Sequence, residues 1–357
     1  MTNDASDHQP ICAPWVLGVV CYAQMSAPGA SHFLEGVAGE LLRRGHRLRL
    51  CRPDDPPELV CEDADLVIVH DGLSPAQVAR IGHHRRHHGG YRLLFRHAAL
   101  QGLAPGMFDL SGYDGVLAAG RAVAELCQSF GLAARVWVWP DAADTGRFRP
   151  VTGEHEGDVV FFGAWGDQDR GVELRHYLLE PVRLLGLRAK AYGPPIPAAA
   201  AAQYAEAGVV YGGWAPHDRV PSILGQFRCT VHVPSRARCR LLPGLPSIRL
   251  FEAMACGVPL VSAPWLDCDG LFTPGRDFLL ARDAAEMRRH LRALVNDAEL
   301  RAEIGLHARR TILARHSCVH RADQLMDICR ELALPFSPSA ATALRLPSSV
   351  EPGDHAQ

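Results

Sequence analysis

The chain has 357 residues, 48% of them apolar and 21% charged, with a net charge of −2 at neutral pH, a length that favours two domains of about 150 residues each. The near-neutral balance gives no electrostatic drive toward nucleic acid or an anionic membrane surface, so a nucleic-acid partner is not expected. Lysine occurs once, at Lys190, which excludes a GxxxxGK[ST] phosphate loop and leaves phosphate contacts to arginine, hydroxyls and backbone N–H groups.

The chain opens on a polar stretch, residues 1–13, and closes on a Pro-, Ser- and Ala-rich one, residues 334–357; both compositions predict disorder. The opening lacks the basic and apolar regions of a signal peptide, and no apolar run reaches about 20 residues, so a cytoplasmic protein without a membrane span is expected. The 11 cysteines are scattered without CxxC spacing and are odd in number, against a zinc ribbon or a disulfide framework.

Between these ends the pattern alternates. WVLGVVCY (15–22) predicts a strand, SHFLEGVAGELLRRG (31–45) a helix with a glycine stop, and HRLRLCR a second strand. DADLVIVHD (63–71), YRLLFRH (91–97), YDGVLAAG (113–120) and ARVWVWP (134–140) follow as strands, with RAVAELCQSFG as a helix. Strands separated by helical stretches predict βαβ units and a parallel sheet covered on both faces, so residues 14–140 read as one doubly wound domain.

Residues 141–157 read as a linker, after which the rhythm restarts. DVVFFG (158–163), LRAKAYG, GVVYGGW, CTVHVPS and VPLVS are strands; RVPSILGQF, the segment before VPLVS and the long run AAEMRRHLRALVNDAELRAEIGLHARRTIL are helical. Residues 158–333 therefore form a second doubly wound domain facing the first across a cleft, with ligands expected beyond the carboxyl ends of the strands. SRARCRLLPGLP (235–246), with Arg236, Arg238 and Arg240, reads as a mobile basic loop at that cleft.

PSIRLFEAMACGVPLVS (246–262) combines an N-cap serine, a helix, a glycine stop and a buried strand. Arg249 and Glu252 stand three positions apart, on one face near the helix N-terminus, where they can hold an anion and a sugar hydroxyl together. HHRRHH (83–88) resembles a metal tract, but without a matching Cys or carboxylate it reads as a solvated basic patch. DCD (267–269) has the spelling of a carboxylate pair but follows a different strand from the one a DxD site would occupy, so no metal is expected.

The order of DAADTGRFRP, FFGAWGDQDRGVELRHYLLEP, VVYGGWAPHDRVPSIL, VHVPS, PSIRLFEAMACGVPLVS and LFTPGRDFLLARDAAEM resembles the GT-B glycosyltransferases, family 4-like, with a CgeB-like (spore maturation protein type) carboxyl-terminal domain. The resemblance covers most of residues 15–333, strongly in the second half. It implies two Rossmann-like domains, an amino-terminal one for the acceptor and a carboxyl-terminal one for a nucleoside-diphosphate sugar. It implies that Glu252 binds ribose hydroxyls, that Gly163 and Arg170 contact the diphosphate, and that Trp214 lies near the base. Asp144, Phe148 and Pro150 match the linker pattern GVDxxRFxP, and His97 of LLFRHAA matches a histidine near the reaction centre, with His32 as a second candidate base. Two positions depart from the pattern: Gly244 stands where the first glutamate of E-x7-E would be, and no lysine accompanies Arg170. The implied function is sugar transfer to an acceptor hydroxyl on a glycan, lipid-linked or small molecule, without a cofactor. Sugar-nucleotide 2-epimerases share the architecture but not this signature, and the departures motivate an alternative, a non-catalytic sugar-nucleotide-binding or structural protein.

Overall fold

A computed structural model describes residues 16–23, 32–97, 107–151, 153–166, 168–241 and 244–334; the expected leader and nearly all of the expected tail lie outside the described residues. The first six strands are β1 (Gly18–Tyr22), β2 (Arg47–Cys51), β3 (Leu66–His70), β4 (Arg92–His97), β5 (Gly115–Ala118) and β6 (Val136–Val138). They form one parallel sheet in the order β2-β1-β3-β4-β5-β6. Alternate residues feed two cores: Val19, Cys21, Ile68 and Leu94 face one side, Val20, Tyr22, Val67, Val69 and Leu93 the other. Burial on both faces is why these strands read as unbroken apolar runs.

The second sheet contains β7 (Gly157–Phe162), β8 (Ala189–Tyr192), β9 (Val209–Tyr211), β10 (Phe227–His232), β11 (Leu260–Ser262) and β12 (Leu279–Leu280). Its order is β12-β11-β10-β7-β8-β9, again parallel. β12, absent from the sequence reading, has two residues, too few to leave an alternating pattern. The long helical run is two helices, Ala284–Asn296 and Ala298–Arg315. Asp297 separates them: it leaves helical geometry and its carboxylate accepts the Leu300 N–H at 2.9 Å, starting a second helix.

The helix Cys318–Glu331 falls within the stretch expected to form the second domain, yet it packs on the first sheet. Cys318, Ala322, Leu325 and Cys329 share a core with Leu34, Val37 and Leu41 of the helix His32–Arg43 and with Trp139. The Trp139 indole donates to the Arg321 carbonyl at 3.0 Å. An apolar helical stripe shows that one face is buried, not which sheet covers it. The amino-terminal unit is thus closed by the end of the chain, and the two crossings between units run side by side, joined at an Ala143–Ser317 bridge.

Each sheet reverses its strand order once, at β1/β3 in the first and β7/β10 in the second. These are the crevices at which open α/β sheets bind ligands. The units also meet at Asp269, whose carboxylate accepts the Arg121 N–H at 3.1 Å, at the start of the helix Arg121–Ser129. Asp267 accepts the Phe272 N–H at 2.8 Å, so both carboxylates of the DCD stretch serve the backbone.

Candidate functional site

A cavity of about 640 Å³ lies between the two reversal points, within the usual range of roughly 300–1,000 Å³ for small-molecule sites. The first unit contributes His70, Asp71 and Gly72 after β3, together with Phe33 and Asp141; the second contributes Phe162 and Gly163 after β7 and His232 to Ser235 after β10. A hollow of the same volume beside Asn296 and Glu299 is an open surface dish on the second unit, remote from these strand ends. The chain turns tightly at the cleft wall. Gly163 donates its N–H to the Tyr192 carbonyl at 2.9 Å, and a Cβ on Gly193 would stand 2.1 Å from the Gly163 carbonyl oxygen, so only glycine permits that approach.

Arg170 and Arg249 bring positive charge to the cleft. Arg170 lies 4.0 Å from Glu173, and the same carboxylate pairs with Arg236 at 2.8 Å and accepts the Arg236 N–H at 3.3 Å. Within the stretch 235–246, read from sequence as a basic loop, Arg236–Leu241 is instead a short helix. Its residues favour helix, and the Glu173 carboxylate satisfies an N–H at its start. Ser247, which also lines the cleft, caps the helix Ile248–Ala255, its hydroxyl accepting the Arg249 N–H at 3.2 Å.

Arg249 and Glu252 meet as their spacing predicts: an Arg249 guanidinium nitrogen donates to Glu252 Oε2 at 2.6 Å. The pair is not a surface bridge, because Glu252 is 1% exposed. Its other oxygen faces His217 Nε2 at 2.7 Å, and His217 Nδ1 faces an Arg147 nitrogen at 2.8 Å. Arginine only donates, so Nδ1 holds the lone pair and Nε2–H donates to Glu252; the imidazole is neutral. Burial lowers the pKa of His217 and outweighs the opposing pull of Glu252. Burial also pushes the Glu252 carboxyl upward, but Arg249 and His217 together hold it below its ordinary value. His32 of the first unit stacks on His217, ring centroids 3.6 Å apart and 7° from parallel. His32 Nδ1 lies 3.3 Å from Glu35, which lies 3.8 Å from Arg147.

His32, Glu35 and His217 have the mutual spacing of metal ligands. Both His217 nitrogens are directed at Arg147 and Glu252, however, so the group is organised as a hydrogen-bonded chain between the units. His32 therefore sits in an interdomain contact. The signal for His217 is weak in sequence: it lies 35 residues before Glu252 and follows the GGWAP turn that drew attention to Trp214.

His97, at the end of β4, is 1% exposed and donates Nδ1–H to Asp71 Oδ2 at 2.9 Å, reaching the cleft through Asp71. That bond leaves the lone pair on Nε2, which has no hydrogen-bond partner among the described residues. His70 accepts the Gly72 N–H on Nδ1 at 3.0 Å, and burial lowers its pKa, leaving a neutral ring at the cleft. Trp214 is 44% exposed and lines the cleft wall. Of the tract 83–88, His84 is buried rather than solvated, its Nδ1 2.9 Å from the Tyr91 hydroxyl.

Residues 175–327 match a sequence family described as glycosyl transferase-like. The architecture matches HepE of Anabaena in complex with UDP and glucose, with a TM-score of 0.63 and 14% identity over 88% of this chain and 100% of that one. The chain has the two-sheet GT-B fold. Sucrose-phosphate synthase of Thermosynechococcus elongatus matches with a TM-score of 0.64 and 13% identity over 89% and 99% of the two chains. AviGT4, a glycosyltransferase involved in avilamycin A biosynthesis, matches at 0.61 and 16% over 88% and 98%. No curated protein matches the chain in sequence. The GT-B cleft thus carries Gly163, Arg170, Trp214 and Arg249 on its walls, Glu252 and His97 behind them, and His32 at the junction of the units. Among the described residues no helix is long and apolar enough to cross a membrane.

Proposed function

We propose that the protein transfers a hexose from a nucleoside-diphosphate sugar to an acceptor hydroxyl, with the donor on the carboxyl-terminal unit and the acceptor on the amino-terminal one. The observation that carries this reading is that Arg170 and Arg249 both line one cavity at the reversal point of the second sheet. As the bond from the anomeric carbon to the diphosphate oxygen breaks, negative charge grows on the diphosphate. Fixed guanidinium groups and the N-terminal end of the helix Ile248–Ala255 stabilise that charge without reorganising. Trp214 offers an exposed aromatic face on which a base can stack.

The acceptor oxygen forms the new bond to the anomeric carbon and its proton leaves to a base. The Asp71–His97 pair suits that role: Asp71 lines the cleft, and His97 Nδ1–H donates to it from behind. HepE, which binds UDP and glucose, makes uridine donors the first to try. The test is release of UDP from UDP-sugars by the wild type and by His97→Gln, with and without simple glycosides as acceptors. Acceptor-dependent release that falls at least about a hundredfold in the variant, the usual scale of general-base catalysis, is expected; equal release by both would remove His97 from the chemistry.

A second reading, donor binding without turnover, is favoured by Gly244. It occupies the position of the first glutamate of E-x7-E at φ 89°, where a glutamate would be strained. Tight binding of a sugar nucleotide with neither hydrolysis nor transfer would select this reading.

A further inference from the structure

Glu252 is where the family resemblance and the geometry diverge. A glutamate that binds ribose must offer its oxygens to the cleft. Here each oxygen already accepts a short hydrogen bond, one from His217 and one from Arg249. The space that Glu252 borders is a recess of about 20 Å³ under its own helix, walled by Val220, Leu224 and Leu250, room for about one water. Arg249 borders both that recess and the main cleft.

Resting on the transferase reading, we propose that Glu252 is a positioning residue: it aims the Arg249 guanidinium at the donor diphosphate and, through His217, ties it to the amino-terminal unit, without contacting the ribose. A free arginine side chain loses rotamer entropy when it is fixed. Glu252, one helical turn further on, fixes one nitrogen of Arg249 before any ligand arrives and leaves the rest of the fork for phosphate. His217 occupies the second oxygen, so the carboxylate cannot rotate away.

The chain of contacts then leaves the second unit. Glu252 and Glu35 favour a proton on His217; Arg147, Arg249 and His32 oppose it. The Arg147 bond to Nδ1 requires the neutral ring, and a neutral ring can stack face to face on His32. Opening the cleft would part His32 from His217, and Arg147 lies on the crossing between the units. Donor affinity and closure are therefore one equilibrium, read through one carboxylate.

The test compares UDP with 2′,3′-dideoxy-UDP by titration calorimetry on the wild type, Glu252→Gln, Arg249→Ala and the double variant. Glutamine keeps the shape of Glu252 and still accepts from His217, but removes the charge that holds Arg249. Both ligands are expected to lose about tenfold in affinity in Glu252→Gln, the order of one charge-assisted hydrogen bond, and Glu252→Gln is expected to add little once Arg249 is gone. A loss for UDP without a loss for the dideoxy ligand would mean direct ribose contact and overturn the proposal; so would full additivity of the two substitutions. Failure of UDP and other nucleoside diphosphates to bind the wild type would instead defeat the transferase reading, and with it the donor role of Glu252. The network has its own signature in ¹⁵N-histidine spectra: a neutral Nε2–H tautomer for His217 at pH 7, perturbed by His32→Ala. A protonated ring or the other tautomer would refute the network itself.

Discussion

At the scale of single residues, the cleft depends on a few side chains whose positions are fixed by neighbours. Arg170→Ala should weaken binding of a nucleoside diphosphate by about tenfold while leaving the free nucleoside unaffected, because the lost partner is phosphate; paired calorimetric titrations read the difference. Trp214→Ala should weaken every nucleotide alike, since stacking tolerates any base, by about 1–3 kcal/mol, and quenching of tryptophan fluorescence by nucleotide should shrink with it. The Arg249–Glu252 pair was legible because helical spacing brings residues three apart onto one face. His217 was not, because contacts between segments 35 residues apart follow from sheet order rather than local spacing. The burial of Glu252 was likewise hidden: a carboxylate near a helix start reads the same whether it faces solvent, ligand or two fixed donors.

At the scale of elements, the strands β1 to β11 were legible because parallel strands buried on two faces are continuous apolar runs, and so were the helices His32–Arg43, Arg121–Ser129, Val220–Gly225 and Ile248–Ala255, but Pro75–His88 and Ala198–Glu206 went unread. The failures lie where that logic is weakest. β12 is too short to have a period, the break at Asp297 turns on one side chain capping the next helix, and the short helix Arg236–Leu241 is held by Glu173, more than 60 residues earlier. Gly244 provides a test at this scale. Its φ is 89°, and a Cβ would lie 3.1 Å from the Cys268 Cβ. Gly244→Glu, which restores the spelling of E-x7-E, should therefore cost about 1–3 kcal/mol of stability and fail to raise turnover; urea midpoints and UDP release measure the two effects. A stable and faster variant would show that the backbone here adapts to the family pattern.

At the scale of the whole molecule, two crossings and the returning helix hold the units together. His316, just before that helix, is buried; Nε2–H donates to the Leu271 carbonyl at 2.9 Å and Nδ1 accepts from Arg321 at 3.1 Å. Burial, reinforced by Arg321, pushes its pKa down to about 4. The unfolded chain therefore binds this proton first as pH falls, so the contribution is intact above about pH 6.5 and about 3 kcal/mol is lost on the way to pH 4. Chemical denaturation at pH 7 and pH 4.5 should show the fall, and His316→Asn should flatten it; an unchanged slope would mean that His316 is not held neutral. That the last helix closes the first unit was not legible, because an amphipathic stripe does not name its partner.

The proposed activity requires the cleft between the strand ends to bind a nucleoside diphosphate through its arginines. Titration of UDP, GDP, ADP and dTDP into the wild type and into Arg249→Ala tests this most directly. The expected result is selective binding of one nucleotide by the wild type, at least about tenfold weaker in the variant. Equal affinity in both proteins, or no binding of any of the four, would contradict it.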